Sequence, residues 1–155
     1  MYDDEFFEDV LDALYDRDKI SKLPKIPAPF FGLAILCLIN NSNLNIPVNS
    51  LYEAGYSIGH LISPKNIEEL KLIFETTNLG KISFENDKII IADSFHGKVA
   101  KSNIKDDSFT GGFLAGCLSA IYNDKIHVKE LPKRSQTVRI FEIVDGKKLN
   151  NLNRC

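Results

Sequence analysis

Sixteen consecutive residues, "SFTGGFLAGCLSAIYN" (108–123), carry no charged side chain, and this constrains the fold more than any other feature. A surface helix keeps one charged face toward water, so a helix with none is buried nearly all round. The segment is therefore expected at the centre of the molecule. Its three glycines, Gly111, Gly112 and Gly116, each cost about 1 kcal/mol relative to alanine in a helix interior. A compensating close approach of another backbone is the physical use that such glycines have. On a wheel of about 100° per residue, Ser108, Gly112, Ala115, Gly116, Ser119 and Asn123 form a small-residue stripe. Phe109, Thr110, Phe113, Leu114, Cys117, Leu118 and Ile121 form a bulky stripe opposite it. A phosphate loop is excluded, because no Gly-Lys-Ser/Thr follows and no strand leads directly into the glycines.

A second stretch, "SLYEAGYSIGHLI" (50–62), repeats the device. Ala54, Gly55, Ile58, Gly59, Leu61 and Ile62 make its apolar and small side, while Tyr52, Tyr56 and His60 form a ridge beside them. Gly55/Gly59 and Gly112/Gly116 are both pairs four residues apart, a spacing that lets helices pack closely. The four are expected to face a near neighbour within the chain or across a dimer.

Around these helices the hydrophobic period changes along the chain. Residues 3–15 place Phe6, Val10, Leu11 and Leu14 at helical spacing, with Asp3, Asp4 and Glu5 at the end the helix dipole favours. Phe30–Asn40 reads as a further helix after a proline-rich connector, and 66–77 as another, closed by "NLG". Asn49 or Ser50 caps the 50–62 helix and Pro64 closes it; Asp106 or Asp107 caps the uncharged helix. "KISFENDKIIIADSF" reads as a hairpin turning at Glu85-Asn86-Asp87, and "KIHVKEL" with "QTVRIFEIV" as a second hairpin. The order α-α-α-α-β-β-α-β-β predicts an α+β domain: a four-stranded antiparallel sheet of two hairpins packed with about five helices.

Composition narrows the function classes. At 155 residues the chain is expected to form a single domain, 1–155, that needs no metal or disulfide staple. A net charge of −2 without a basic run argues against nucleic acid. The longest apolar run, Phe30–Ile39, is about half the roughly 20 residues that span a bilayer. The acidic N-terminus, "MYDDEFFEDV", is unlike a basic secretory leader. These features predict a cytoplasmic chain without membrane insertion. Cys37, Cys117 and Cys155 share no ligand spacing, so no metal and no cofactor is indicated.

Taken together, "LYEAGYSIGHLI", "DSFTGGFLAGCLSAIYNDKIHVKEL" and "RIFEI" resemble the 4-vinyl reductase domain family. The resemblance covers roughly 48–144, leaving 1–47 as an N-terminal helical extension and 145–155 as a tail. It implies the α+β fold shared with TRAPP transport-particle subunits and haem nitric-oxide sensor domains, and a module that binds a small, hydrophobic molecule. It also singles out Glu130, on the first strand of the second hairpin. Family members commonly carry cysteines in that hairpin and before the glycine helix, a set suspected of holding metal. The corresponding residues here are "ELPKRSQTVRIFEI" and Asp106-Asp107-Ser108, which supply no such ligands.

No catalytic set stands out. His60 beside Glu53 could orient a ligand or exchange protons, but a histidine at a helix C-terminus is favoured there by the dipole alone. Asp93, Ser94 and His96 supply the letters of a hydrolytic triad without a nucleophile elbow. The expected ligand-binding set is Tyr52, Tyr56, His60, Phe95, Phe109, Phe113 and Cys117, around a pocket between the two glycine helices and the sheet, although burial alone also accounts for Cys117. The favoured function is a non-catalytic domain that binds a small hydrophobic ligand or regulates, as a homodimer. The alternatives are a structural adaptor or dimerisation module, and a reductase acting on a vinyl tetrapyrrole-like substrate.

Overall fold

The computed structural model describes residues 15–22, 49–86, 88–95, 107–132, 135 and 137–145. The helices expected over 3–15 and 30–40, the loop from His96 and the C-terminal tail lie outside these residues, apart from Tyr15 and Asp145. Helix α1 (Arg17–Lys22) was not anticipated. Its six residues are too short to show a hydrophobic period. Asp16 starts it: Oδ1 accepts from the backbone N–H groups of Asp18 (2.8 Å) and Lys19 (3.2 Å), as an N-cap side chain does.

Helix α2 (Ser50–Ile62) follows Asn49, whose side chain makes no capping bond because its backbone is already helical. The helix stops at Ser63, which turns left-handed (φ 51°) and donates its N–H to Gly59 O (3.1 Å). Helix α3 (Ile67–Thr76) is capped reciprocally. Asn66 Oδ1 accepts from Glu69 N–H (2.9 Å), and Glu69 Oε2 accepts from Lys65 N–H (2.7 Å). Gly80, at φ 137°, then redirects the chain into the sheet.

Strands β1 (Lys81–Glu85) and β2 (Lys88–Ala92) pair antiparallel around Asn86, which holds a left-handed φ of 54° in place of a turn glycine. Helix α4 (Ser108–Tyr122) follows, with Asp107 Oδ1 accepting from Thr110 N–H (3.2 Å) at its start. Strands β3 (His127–Glu130) and β4 (Arg139–Asp145) form the second hairpin. The sheet is four-stranded and wholly antiparallel, in the order β1-β2-β4-β3.

One face of the sheet carries the core. Phe84, Ile89, Phe141 and Glu130 stand side by side across the four strands, and Ile82, Ile91 and Arg139 form the adjacent row. Leu114, Leu118 and Phe113 of α4 and Leu70, Ile73 and Phe74 of α3 bury against this face. α3 packs on β1, α4 packs on β3, and α2 covers the outer side of α4. Every residue of α4 from Thr110 to Ser119 is buried, which is the physical outcome of its lack of charge.

Candidate functional site

The two glycine helices touch through their backbones. A Cβ built on Gly55 would strike Phe109 O and lie 2.8 Å from Phe113 N; one on Gly59 would strike Phe113 O and lie 2.9 Å from Cys117 N. In return, a Cβ on Gly112 would strike Tyr52 O, and one on Gly116 would strike Tyr56 O. Residue numbers rise together along both partners, so α2 and α4 run parallel. At this range the glycine Cα–H groups meet facing carbonyl oxygens, a weak attraction that recurs at close helix interfaces. The four glycines together cost about 4 kcal/mol of helix propensity, offset by contacts that no side chain would permit.

This seam leaves no space between the facing stripes of α2 and α4. Cys117 also lies closer to the seam than its place on the bulky side implied. Its Sγ would be 3.1 Å from a Cβ at Gly59. Burial pushes this thiol up to about 12, which keeps it protonated and unreactive at neutral pH.

Tyr52 spans from the seam to the sheet. Its ring passes Gly111, where a Cβ would be 3.7 Å from Tyr52 Cε2, and its hydroxyl accepts the Val128 N–H (3.1 Å) at the bulge between His127 and Val128. That N–H lies on β3, a strand at the edge of the sheet, where unpaired backbone groups otherwise invite foreign strands. Burial, first, raises the Tyr52 phenol above its ordinary pKa. His127 stacks beside Tyr52 (6.5 Å between ring centres), and Tyr56 stacks on His60 one turn along α2 (6.0 Å).

The expected binding residues separate between the two sides of the seam. Tyr52 turns toward β3, and Tyr56 stays with His60, which is exposed. Phe113 packs on Phe74 of α3 (5.9 Å), with Cys117 one turn on. Phe95 is half-buried beyond β2, its N–H donated to Leu79 O (3.0 Å). Phe109 is half-buried at the start of α4. Glu53 and His60 are both exposed on α2, and Ser94 is buried after β2. Among the described residues no group of three His, Cys, Asp or Glu side chains could hold a metal ion, and no helix is long and apolar enough to cross a membrane.

Sequence reasoning missed a buried polar clamp. Arg139 is 2% exposed, and its Nη1 donates to Glu130 Oε1 (2.7 Å), whose side chain is 8% exposed. Glu130 Oε2 accepts the Asp107 N–H (2.7 Å) at the mouth of α4. One carboxylate thus ties the uncharged helix to both strands of the second hairpin, and its negative charge lies where the α4 dipole favours it. Arg139 Nε makes no hydrogen bond among the described residues. Strand parity was the available signal: Arg139, Phe141 and Ile143 alternate onto the same face.

Relatives confirm how much of this architecture is shared. The chain is 35% identical to the uncharacterized protein MJ1460 of Methanocaldococcus jannaschii over 158 residues, covering 95% of this chain and 97% of the relative. A crystal structure of a vinyl-4-reductase family protein from Methanocaldococcus jannaschii superposes with a TM-score of 0.71 at 33% identity, over 91% of this chain and 95% of that one. The chain belongs to the vinyl-4-reductase family. A more distant similarity, to the uncharacterized protein MJ0745 of the same organism, is 24% identity over 123 residues, 74% of this chain and 65% of that protein. No family model matches the chain. This vinyl-4-reductase family chain thus shares both sequence and fold with its solved relative along nearly its whole length.

Proposed function

We propose that this domain binds a small apolar molecule without transforming it, and that it works as a homodimer. The observation that carries the reading is the half-burial of four aromatic residues, Tyr52, Tyr56, Phe95 and Phe109, around a helix pair whose backbone contact makes it rigid. Aromatic surface held partly open on a fixed frame suits ligand burial, with a hydroxyl or imidazole setting orientation. In this reading Tyr52, Tyr56, His60, Phe95 and Phe109 line the accessible walls, while Phe113 and Cys117 stiffen the frame behind them. Native mass spectrometry of the purified chain tests it. A retained apolar ligand that is lost in Tyr56→Ala or Phe109→Ala supports the reading. A chain that is empty as purified and takes up no apolar compound from a screen overturns it.

The family name of the solved relative carries a second reading, reduction of a vinyl group on a tetrapyrrole-like substrate. Hydride from added NADPH and a proton from solvent would convert vinyl to ethyl. Turnover of such a substrate by the purified chain would replace the binding reading.

A further inference from the structure

The side of α2 that faces away from α4 is exposed at its described residues. Ala54, Ser57, Ile58 and Leu61 are all exposed, Ile58 at 42% and Leu61 at 55%, so two large apolar side chains stand in water on one helix. At about 100° per residue these four span a stripe about 100° wide, away from the side on which Tyr52, Gly55, Tyr56 and Gly59 meet α4. Ala54, Ile58 and Leu61 thus do not share the glycines' packed face, as their grouping in the sequence suggested. Their order is small, small, large, large, so reversing it exchanges small for large at every position. A two-fold axis between residues 57 and 58 places Leu61 over the partner's Ala54 and Ile58 over the partner's Ser57, so each large side chain meets a small one. The flank is complementary as well. Glu53 and His60 lie on the same side of the stripe, and the same axis brings Glu53 within about 3 Å along the helix of the partner's His60, at a rise of 1.5 Å per residue. An isologous contact requires this kind of self-complementarity.

We propose that this stripe is the dimer interface, with α2 packed antiparallel on α2 of a second copy; the inference rests on the homodimer reading above. A single two-helix seam is smaller than the roughly 800 Å² per partner of a standard interface, so the dimer is expected to dissociate in the micromolar range.

Sedimentation velocity on the full chain up to about 100 μM tests it. Wild type should sediment as a dimer, and Ile58→Lys or Leu61→Lys should weaken association at least about tenfold with unchanged circular dichroism. In a Cys37→Ser, Cys155→Ser background, Ser57→Cys beside the axis should form a cross-linked dimer on mild oxidation, while Glu85→Cys on β1 should not. A wild-type dimer that neither lysine variant weakens overturns the interface and leaves the homodimer reading standing. So does cross-linking at Glu85→Cys in place of Ser57→Cys. A monomer at the highest concentration overturns both.

Discussion

Arg139 and Glu130 form an ion pair of 2.7 Å that water scarcely reaches, on the same sheet face as Ile89, Ile91 and Phe141. They are diagonal neighbours across the β3–β4 hairpin, since Glu130 pairs directly with Phe141. Both ions lose their hydration when the hairpin docks, and each is tolerable only because the other is present.

Removing one partner should therefore cost more than removing both. Arg139→Ala leaves the Glu130 carboxylate buried and uncompensated and should destabilise the chain by about 3–5 kcal/mol. Arg139→Met with Glu130→Leu should recover much of that loss, apart from about 1–2 kcal/mol for the orphaned Asp107 N–H. Urea denaturation of Arg139→Ala and of the double variant measures the difference. Equal losses in Arg139→Ala and the double variant would show that the pair does not act as a unit.

Adjacent glycines of α4 should respond oppositely to alanine. At Gly112 the new Cβ would strike the Tyr52 carbonyl, a backbone atom that cannot step aside. Gly112→Ala should lower stability by about 3 kcal/mol or more. At Gly111 the nearest atoms are side-chain carbons of Phe141 and Tyr52 at 3.5 and 3.7 Å, an ordinary contact. There alanine should keep its propensity advantage, up to about 1 kcal/mol. Thermal melts of the two variants decide it, and a loss at Gly111 matching that at Gly112 would contradict the parallel seam.

Stability should fall in alkali through Cys117. Its thiol is pushed up to about 12 from 9.0, by burial, so the unfolded chain gives up this proton first as pH rises. The contribution is constant below about pH 9 and declines between 9 and 12, by about 1.4 kcal/mol per pH unit. The raised phenols of Tyr15 and Tyr52, also shifted chiefly by burial, add a decline of the same sign at higher pH. Cys117→Ala should flatten the slope between pH 9 and 10.5 in denaturation titrations, and an unchanged slope would count against a sealed thiol. In native protein Cys117 should resist alkylation that it accepts once unfolded.

Much of the fold around the site was legible in the chain, in proportion to how local its causes are. The burial of α4 follows from sixteen residues without charge, and its start from Asp107, because capping depends on the next three residues. The two hairpins follow from alternation and from Asn86, a residue that tolerates a left-handed turn. Arg139 was not legible as a buried charge, because the carboxylate that makes it tolerable sits on another strand and the hairpin register alone brings them together. Glu130 stood out only through family resemblance, which gives no hint of its bonds to Asp107 and Arg139. Helix α1 escaped notice because a single capped turn has no period to detect.

Spacing along the chain alone determined that Gly55, Gly59, Gly112 and Gly116 lie on the close-packing faces of two helices, since a helix repeats every 3.6 residues wherever it is placed. Only the tertiary structure decided that these faces meet each other, in parallel, so that Tyr52 reaches Val128 and Cys117 settles beside Gly59. The relative direction and register of two helices separated by about fifty residues depend on how the intervening strands pair and which way the crossover returns. That choice is made by the sheet order β1-β2-β4-β3, which no segment of the sequence encodes by itself.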